Sequence, residues 1–514
     1  MVLKVLMLIL FFGCMVAVGL YCRRHATDVN GFVLGGRSVG PWLTAFAYGT
    51  SYFSAVIFIG YAGQFGWKYG IAATWIGLGN ALIGSLLAWV LLGRRTRLMT
   101  QKLSTATMPE FFGKRYRSNA LRVGASAIVF IFLIPYTASL YNGLSRLFGM
   151  AFHIDYTVCI IAMAVLTGIY VIAGGYMATA INDFIQGIIM LVGIVAVVAA
   201  VLASKGGFMA SLDALARVED PSVTSTPGAF ASFFGPDPFN LFCVVILTSL
   251  GTWGLPQMVQ KFYAIKSEKS ISKGAIISTL FAVIVAGGCY FLGGFGRLFS
   301  DQVDLAAGGY DSIIPTMLSN LPDLLMGIVV ILVLSASMST LSSLVLASSS
   351  TLTLDFIKGT LVKEMSEKRQ IFVMRLLVVV FVAISAIIAV VQYKANVTFI
   401  AQLMGISWGA LAGSFLAPFI YGLYWKRTTK ASVWVSFIFG SGIMILNMIC
   451  PSIFPAALQS PINCGAFAMA AGLILVPLVS ILTKAPDRAL VDDMFSCYNT
   501  LVTVPAKEAL GDEN

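Results

Sequence analysis

Long apolar stretches recur along almost the whole chain, and each is about as long as a membrane is thick. A membrane-spanning helix needs about 20 consecutive, mostly apolar residues, and by that criterion the sequence predicts thirteen spans. Their approximate bounds are 3–22, 42–65, 71–93, 123–150, 156–174, 181–204, 236–256, 271–295, 324–353, 371–393, 397–424, 432–450 and 462–483. The pattern therefore predicts an all-α protein that crosses the membrane many times.

The composition agrees with this prediction. Of the 514 residues, 58% are hydrophobic and 11% are charged, whereas a soluble domain carries about 25% charged residues. The two histidines and eight cysteines have no spacing typical of a metal or redox site, so we expect no enzyme activity, no catalytic residues and no cofactor. Cys450 and Cys464 flank a predicted outer loop, where free thiols are favoured over a disulfide.

Basic residues predict the orientation of the chain. All but seven of the 33 Lys and Arg residues fall on one set of the loops between spans. Because basic loops stay in the cytoplasm, we expect a multi-pass protein of the cell membrane with its N-terminus outside and a short cytoplasmic tail at 485–514. The net charge of +11 is then an orientation signal, and no nucleic-acid partner is expected.

Residues 5–21 are interpreted as a span rather than a signal peptide, because Arg23 and Arg24 follow them and no small-residue cleavage site does.

Two predicted spans contain isolated polar groups at depths where lipid offers no hydrogen-bond partner. The second span carries Gly49, Thr50, Ser51 and Ser54 near its middle. This favours local unwinding of the helix, with small-residue helix packing as the alternative. The sixth span begins near Asp183, a carboxylate with no Lys or Arg nearby in sequence. A cation or a hydroxyl cluster is the expected partner, and stabilisation by the helix N-terminus is the alternative.

The ninth span holds the densest polar run. Of the 19 residues from 335 to 353, 11 are Ser or Thr, and Ala336, Ser339, Thr340 and Ser343 share one helical face by their spacing. Sodium is a hard cation that binds oxygen ligands, so this face is a candidate ion site. The alternative is that each hydroxyl bonds to its own helix or to a neighbouring one. Because no loop is long enough for a nucleotide-binding domain, any uphill transport is expected to draw on an ion gradient.

Four short motifs indicate a family. They are GGRS at 35–38, ATMPEFFGKRY at 106–116, SMSTLSS at 337–343 and YWKRTT at 424–429. In this order they resemble the sodium:solute symporter family. The resemblance implies a LeuT-like transporter core at 35–430, in which 41–204 and 236–424 are 5+5 inverted repeats. One helix with its linker, 1–34, would precede the core, and two accessory helices, 431–484, would follow it.

The resemblance also implies ligands for sodium. The main site would use the carbonyl oxygens of Thr50, Phe53 and Ala336 and the hydroxyl groups of Ser339 and Thr340. A possible second sodium site would comprise Asp183, Ser339, Ser342 and Ser343.

The same resemblance implies a solute site beside the main sodium. The expected lining residues are Ser54, Ala55, Val56, Tyr136, Thr252, Trp253 and Gln402. Tyr136 matches a pocket tyrosine of bacterial proline symporters, but Tyr52 stands where they carry an aspartate and Val56 where they carry a tryptophan. A neutral, moderately polar pocket is expected, which suits an amino acid, a small carboxylate or a polyol.

We therefore expect sodium-coupled uptake of a small organic solute, foremost an amino acid or a small carboxylate, by alternating access. Sodium is the only metal expected, and the solute, sodium and the lipid bilayer are the expected partners. Two alternatives stay open. The first is a proton-coupled symporter that uses Asp183, and the second, less favoured, is a transporter-like sensor of the solute.

Overall fold

The computed structural model describes residues 2–23, 26–152, 155–305, 309–362, 364–395 and 400–499. The α-helices are α1 (Val2–Cys22), α2 (Val29–Leu34), α3 (Pro41–Tyr52), α4 (Ala62–Tyr69), α5 (Thr74–Gly79), α6 (Arg94–Lys102), α7 (Met108–Arg115), α8 (Asn119–Phe152), α9 (Tyr156–Ser204), α10 (Phe208–Ala216), α11 (Pro238–Leu250), α12 (Pro256–Ala264), α13 (Glu268–Gly293), α14 (Ile313–Leu318), α15 (Asp323–Thr351), α16 (Glu367–Ala395), α17 (Ile400–Tyr424), α18 (Lys430–Ile449), α19 (Pro461–Leu482) and α20 (Arg488–Phe495). Wider, π-type turns form Val56–Tyr61, Asn80–Leu87, Trp89–Gly93 and Leu352–Leu361. The end of the predicted tail, 500–514, lies outside the described residues.

Ten of the described helices are long and apolar enough to cross a membrane, or eleven if the bent pair Pro238–Gly254 and Pro256–Ala264 is one span. The difference from thirteen has two sources: two predicted spans run together, and the fifth corresponds to a shorter apolar helical stretch, Tyr156–Ile169. The end of the second span and the third form one apolar helical stretch, Val56–Lys102, and the fifth and sixth spans both lie in α9. The backbone at Gly70 (φ 61°) and Gly175 (φ 55°) interrupts these stretches in a conformation that favours glycine. The count of thirteen stays a prediction.

Helix α15 is the polar centre of the bundle. Every residue from 329 to 351 is buried, and the helix packs against α3, α8, α9 and α16. Protein rather than lipid therefore surrounds its Ser and Thr side chains. This arrangement explains how so polar a helix is tolerated at membrane depth.

Helix α3 is broken where the sequence predicts unwinding. It ends at Tyr52 because the backbone of Phe53 is extended (φ −86°, ψ 114°), and helical structure resumes at Ala55. The last turn of a helix leaves carbonyl groups without intrahelical partners. The break therefore exposes carbonyl oxygens inside the bundle.

The loop before α11 is anchored by charge. Arg297, just after α13, lies 2.9 Å from the Asp220 carboxylate and stacks over the Phe230 ring. Hydrogen bonds from Ser222 and Arg297 lower the pKa of Asp220 below its ordinary value. The ion pair thus ties the loop that follows α10 to the end of α13.

Glycines bring α4 and α5 against α13. A Cβ atom on Gly66 would lie 2.0 Å from the Gly293 carbonyl oxygen, and one on Gly293 would lie 2.0 Å from the Ala62 carbonyl oxygen. A Cβ atom on Gly77 would lie 2.6 Å from the Gly287 Cα atom. These helices therefore meet backbone to backbone, as small residues allow within membranes.

We expect Gly293→Ala to lower the free energy of unfolding by about 1–3 kcal/mol, the usual range for overpacking, because the new methyl group meets the Ala62 carbonyl oxygen. Gly287→Ala, on the same helix, is the matched control, since a Cβ atom there meets nothing within 4 Å. Thermal unfolding of both purified variants in detergent measures the difference. Equal unfolding midpoints would contradict the close approach of these helices.

Candidate ion and solute sites

The break in α3 faces the hydroxyl groups of α15. Ser339 Oγ lies 3.1 Å and Thr340 Oγ1 3.2 Å from the Thr50 carbonyl oxygen. Thr340 Oγ1 also lies 3.4 Å from the Phe53 carbonyl oxygen. Within α15, the Ala336 carbonyl oxygen lies 3.2 Å from Ser339 Oγ and 3.1 Å from Thr340 Oγ1. The structure therefore brings together the five oxygen atoms expected for the main sodium site, called here the five-oxygen cluster.

The five-oxygen cluster has more hydrogen-bond acceptors than donors. Its three carbonyl oxygens only accept hydrogen bonds, and its two hydroxyl groups supply one proton each. All five residues are buried, where an acceptor without a partner is unfavourable. A cation removes this imbalance because every oxygen can turn a lone pair toward it. Oxygens around a hard cation at the calcium–oxygen distance of about 2.4 Å lie about 3.4 Å apart, which is close to the spacing in the cluster.

Asp183 has a partner that the sequence did not reveal. Lys261 Nζ lies 3.8 Å from Asp183 Oδ2 and donates a hydrogen bond to Ser343 Oγ at 3.0 Å. The seventh predicted span ends at residue 256, so hydropathy alone places Lys261 in the basic loop that follows it. It lies instead on α12, a helix whose nine residues are all buried. A helix this short, placed after a bend of 48°, gives no span-length signal, so hydropathy assigned its lysine to the loop that follows.

Ser342 and Ser343, which also belong to the possible second sodium site, have different hydrogen-bond partners. Ser342 Oγ donates to the Ser339 carbonyl oxygen of its own helix at 2.9 Å, which is the back-bonding alternative for such residues. Ser343 Oγ lies 2.8 Å from Ser51 Oγ. Because Ser51 directly follows Thr50 in the chain, contacts run from Lys261 through Ser343 to the edge of the five-oxygen cluster.

Part of the expected solute site is assembled where the α3 break meets α8. A Cβ atom on Gly143 of α8 would lie 3.3 Å from the Ala55 carbonyl oxygen, so the two segments are in close contact. Tyr136 of α8 packs edge-to-face on Trp408, with ring centroids 5.8 Å apart. The hydroxyl groups of Ser54 and Tyr136 are buried, and neither makes a hydrogen bond of standard geometry within the described part of the chain. The Tyr136 hydroxyl group lies close to both Ser54 and Trp408, so these side chains form a small polar cluster at the contact.

Thr252 and Trp253, which were also expected to line the solute site, make hydrogen bonds within the protein. Trp253 Nε1 donates to the Ile83 carbonyl oxygen at 3.0 Å, and Thr252 Oγ1 lies 2.8 Å from the Ser249 carbonyl oxygen and 3.2 Å from that of Gly84. Their hydrogen-bonding groups are thus used within the protein. Val56 is buried, and Gln402 is partly exposed near the start of α17.

Comparison with known proteins identifies the family. The sequence profile described as "Sodium:solute symporter family" matches residues 32–440. The chain belongs to this family. The symporter is 30% identical over 503 residues to the sodium/proline symporter of Staphylococcus aureus (strain JH9), with 95% of this chain and 94% of that protein covered. It is 27% identical over 484 residues to the osmoregulated proline transporter of Bacillus subtilis (strain 168), with 93% and 95% covered.

Solved structures with low sequence identity share the symporter's fold. The substrate-bound, outward-open state of a Na⁺-coupled sialic acid symporter superposes with a TM-score of 0.73 at 17% identity, over 94% of this chain and 99% of that one. The inward-facing conformation of Mhp1 gives a TM-score of 0.52 at 14% identity, over 89% and 94%. The all-α, multi-pass, LeuT-like fold class is confirmed, and the protein is a sodium-coupled solute symporter. The bounds of the repeats stay predictions.

Two of the symporter's motifs contact each other at one end of the bundle. Arg115 Nε, in the motif 106–116, donates to the Gly422 carbonyl oxygen at 2.9 Å, and its Nη2 donates to the Trp425 carbonyl oxygen at 3.3 Å. In the motif 35–38, Arg37 Nη1 donates to the Tyr263 carbonyl oxygen at 3.2 Å. These motifs are therefore structural contacts, whereas the motif 337–343 contributes to the five-oxygen cluster.

An ion pair between Arg122 and Asp355 joins α8 to the π-type stretch after α15. Arg122 Nε lies 2.6 Å from Asp355 Oδ1, and its Nη2 donates to the Leu354 carbonyl oxygen at 2.8 Å. The Asp355 side chain is fully buried. Removal of one member of a buried pair leaves an uncompensated charge.

We expect Arg122→Met to destabilise the symporter by about 3 kcal/mol, the scale for a broken buried pair. The double variant Arg122→Met/Asp355→Asn should lose less than the sum of the two single variants, because it leaves no unpaired charge. Thermal unfolding midpoints of the wild type, both single variants and the double variant measure this coupling. Strict additivity would contradict a direct interaction.

Proposed function

We propose that this symporter carries a small organic solute into the cell together with sodium, by alternating access, and that the five-oxygen cluster binds the main sodium. The convergence of three backbone carbonyl oxygens with two hydroxyl groups at the α3 break supports this proposal. The N-terminus then lies outside the cell and the C-terminus in the cytoplasm, as the basic loops favour.

Coupling follows from the position of the five-oxygen cluster. A sodium ion there joins the α3 break to α15, and Ser54 directly follows the ligand residue Phe53. Sodium binding therefore orders the start of the solute site. Because coupling between two ligands is reciprocal, bound solute strengthens sodium binding to the same degree.

The solute is proposed to be an amino acid or a small carboxylate. The two relatives named as proline transporters support an amino acid. The side chains that meet at the α8 contact, Ser54, Tyr136 and Trp408, are uncharged. A membrane potential of 100 mV contributes ~2.3 kcal/mol for each sodium ion, which corresponds to about 50-fold accumulation of a neutral solute.

Thr340→Ala and Ser339→Ala should each raise the half-saturating sodium concentration for uptake by about tenfold or more. This follows from the ~1.5–3 kcal/mol contribution of a hydrogen-bonding group to a charge. Ser337→Ala is the matched control, because the Ser337 hydroxyl group is buried on the same helix but donates to the Val333 carbonyl oxygen. Sodium titration of uptake in proteoliposomes measures the change. Unchanged sodium dependence in both test variants would reject the assignment of the cluster.

Uptake itself tests the function and the solute class. Proteoliposomes that contain the purified symporter should accumulate labelled L-proline, or another small amino acid or carboxylate that competes with it, under an inward sodium gradient and not under a potassium gradient. Neutral amino acids, monocarboxylates and polyols serve as competitors. Accumulation driven by a pH gradient without sodium would instead support proton coupling through Asp183.

A further inference from the structure

Lys261 and Asp183 form an isolated pair of opposite charges inside the helix bundle. Their side chains are 2% and 0% exposed, and Lys261 Nζ also lies 5.0 Å from the centre of the Tyr176 ring. The Asp183 carboxylate accepts no hydrogen bond from the residues that the structure describes. A buried carboxylate without hydrogen bonds depends on a nearby cation for its stability. In this protein the cation is covalently attached to α12.

We infer that the Lys261 ammonium group takes the place of a second sodium ion, so that the symporter binds one sodium ion rather than two. The inference rests on the proposed function, because it concerns the number of ions that accompany the solute.

The position of the ammonium group supports the inference. Lys261 Nζ contacts Asp183 and Ser343, two of the residues that a second sodium ion would use. The third hydroxyl group of that set, on Ser342, bonds to its own helix. The ammonium group therefore fills the space between the only carboxylate of the set and the hydroxyl group that faces it.

Charge balance gives a second argument. Asp183 and Lys261 together are neutral, and a sodium ion beside them would leave a net positive charge in a buried place. Two cations within a few ångströms of each other repel strongly where the dielectric constant is low. An added sodium ion would have to displace the ammonium group, which has no other carboxylate among its described contacts.

The attached cation also performs the structural task that a bound ion would perform. Lys261 donates to Ser343, and Ser343 Oγ lies 2.8 Å from Ser51 Oγ beside the α3 break. This connects α12, α15 and α3 in every symporter molecule, whatever the sodium concentration. Sodium dependence is then confined to the five-oxygen cluster.

The test is to count bound ions with ²²Na⁺ alone, on the purified full-length symporter. The wild type should bind one ion per chain. Lys261→Ala should bind two, because it empties the position beside Asp183 and leaves the negative charge. Lys261→Ala/Asp183→Asn should return to one, and Lys261→Arg should stay at one. Lys273→Ala, which removes an exposed lysine from α13, is the control and should also bind one.

Two bound ions in the wild type, or one in folded Lys261→Ala, would overturn the inference. No bound ion in the wild type would instead overturn the proposed function, so the two failures are distinguishable. The wild-type count decides the inference even if Lys261→Ala fails to fold. A merely structural role for Lys261 lowers the unfolding midpoint of Lys261→Ala and adds no ion.

Discussion

A backbone carbonyl group inside a membrane must have a partner, because an unpaired polar group in an apolar medium costs several kcal/mol. The architecture of this symporter follows from that constraint at one place, the break after Tyr52. The opened turn of α3 requires hydroxyl groups opposite it, and α15 supplies them through Ser339 and Thr340. A helix so rich in hydroxyl groups must in turn be enclosed by protein. The packing of α3, α8, α9 and α16 around α15 meets this second requirement.

The features that could be predicted from the sequence are those that depend on the order of neighbouring residues. Spans follow from hydropathy, the hydroxyl face of α15 follows from helical periodicity, and the α3 break follows from Gly49 with the small polar residues after it. The pairing of Lys261 with Asp183 corresponds to no local sequence pattern, since it depends on how α12 enters the bundle. The same limit applies to Thr252 and Trp253. Their helix was predictable, but the neighbour to which their side chains donate was not.

The basic motifs show a second use for residues that set the orientation of a membrane protein. Arg115 donates to carbonyl groups at the end of α17, and Arg37 donates to one at the end of α12. The last carbonyl groups of a helix lack intrahelical partners and carry a partial negative charge. Arginine at these helix ends therefore has a structural use beside the orientation signal expected of basic loops.

The glycine contacts between α4, α5 and α13 have a consequence for motion. Helices that pack through interdigitated side chains can slide when those side chains change rotamer. Helices in direct backbone contact have no side chains between them that could adjust in this way. We therefore expect the helices joined by the Gly66–Gly293 and Gly77–Gly287 contacts to move together. Hinges need residues that can absorb a change of φ and ψ, and the backbone at Phe53 and at Leu255 is non-helical. Under the proposed alternating access, we expect these two interruptions to absorb the change of backbone conformation while α4, α5 and α13 move together.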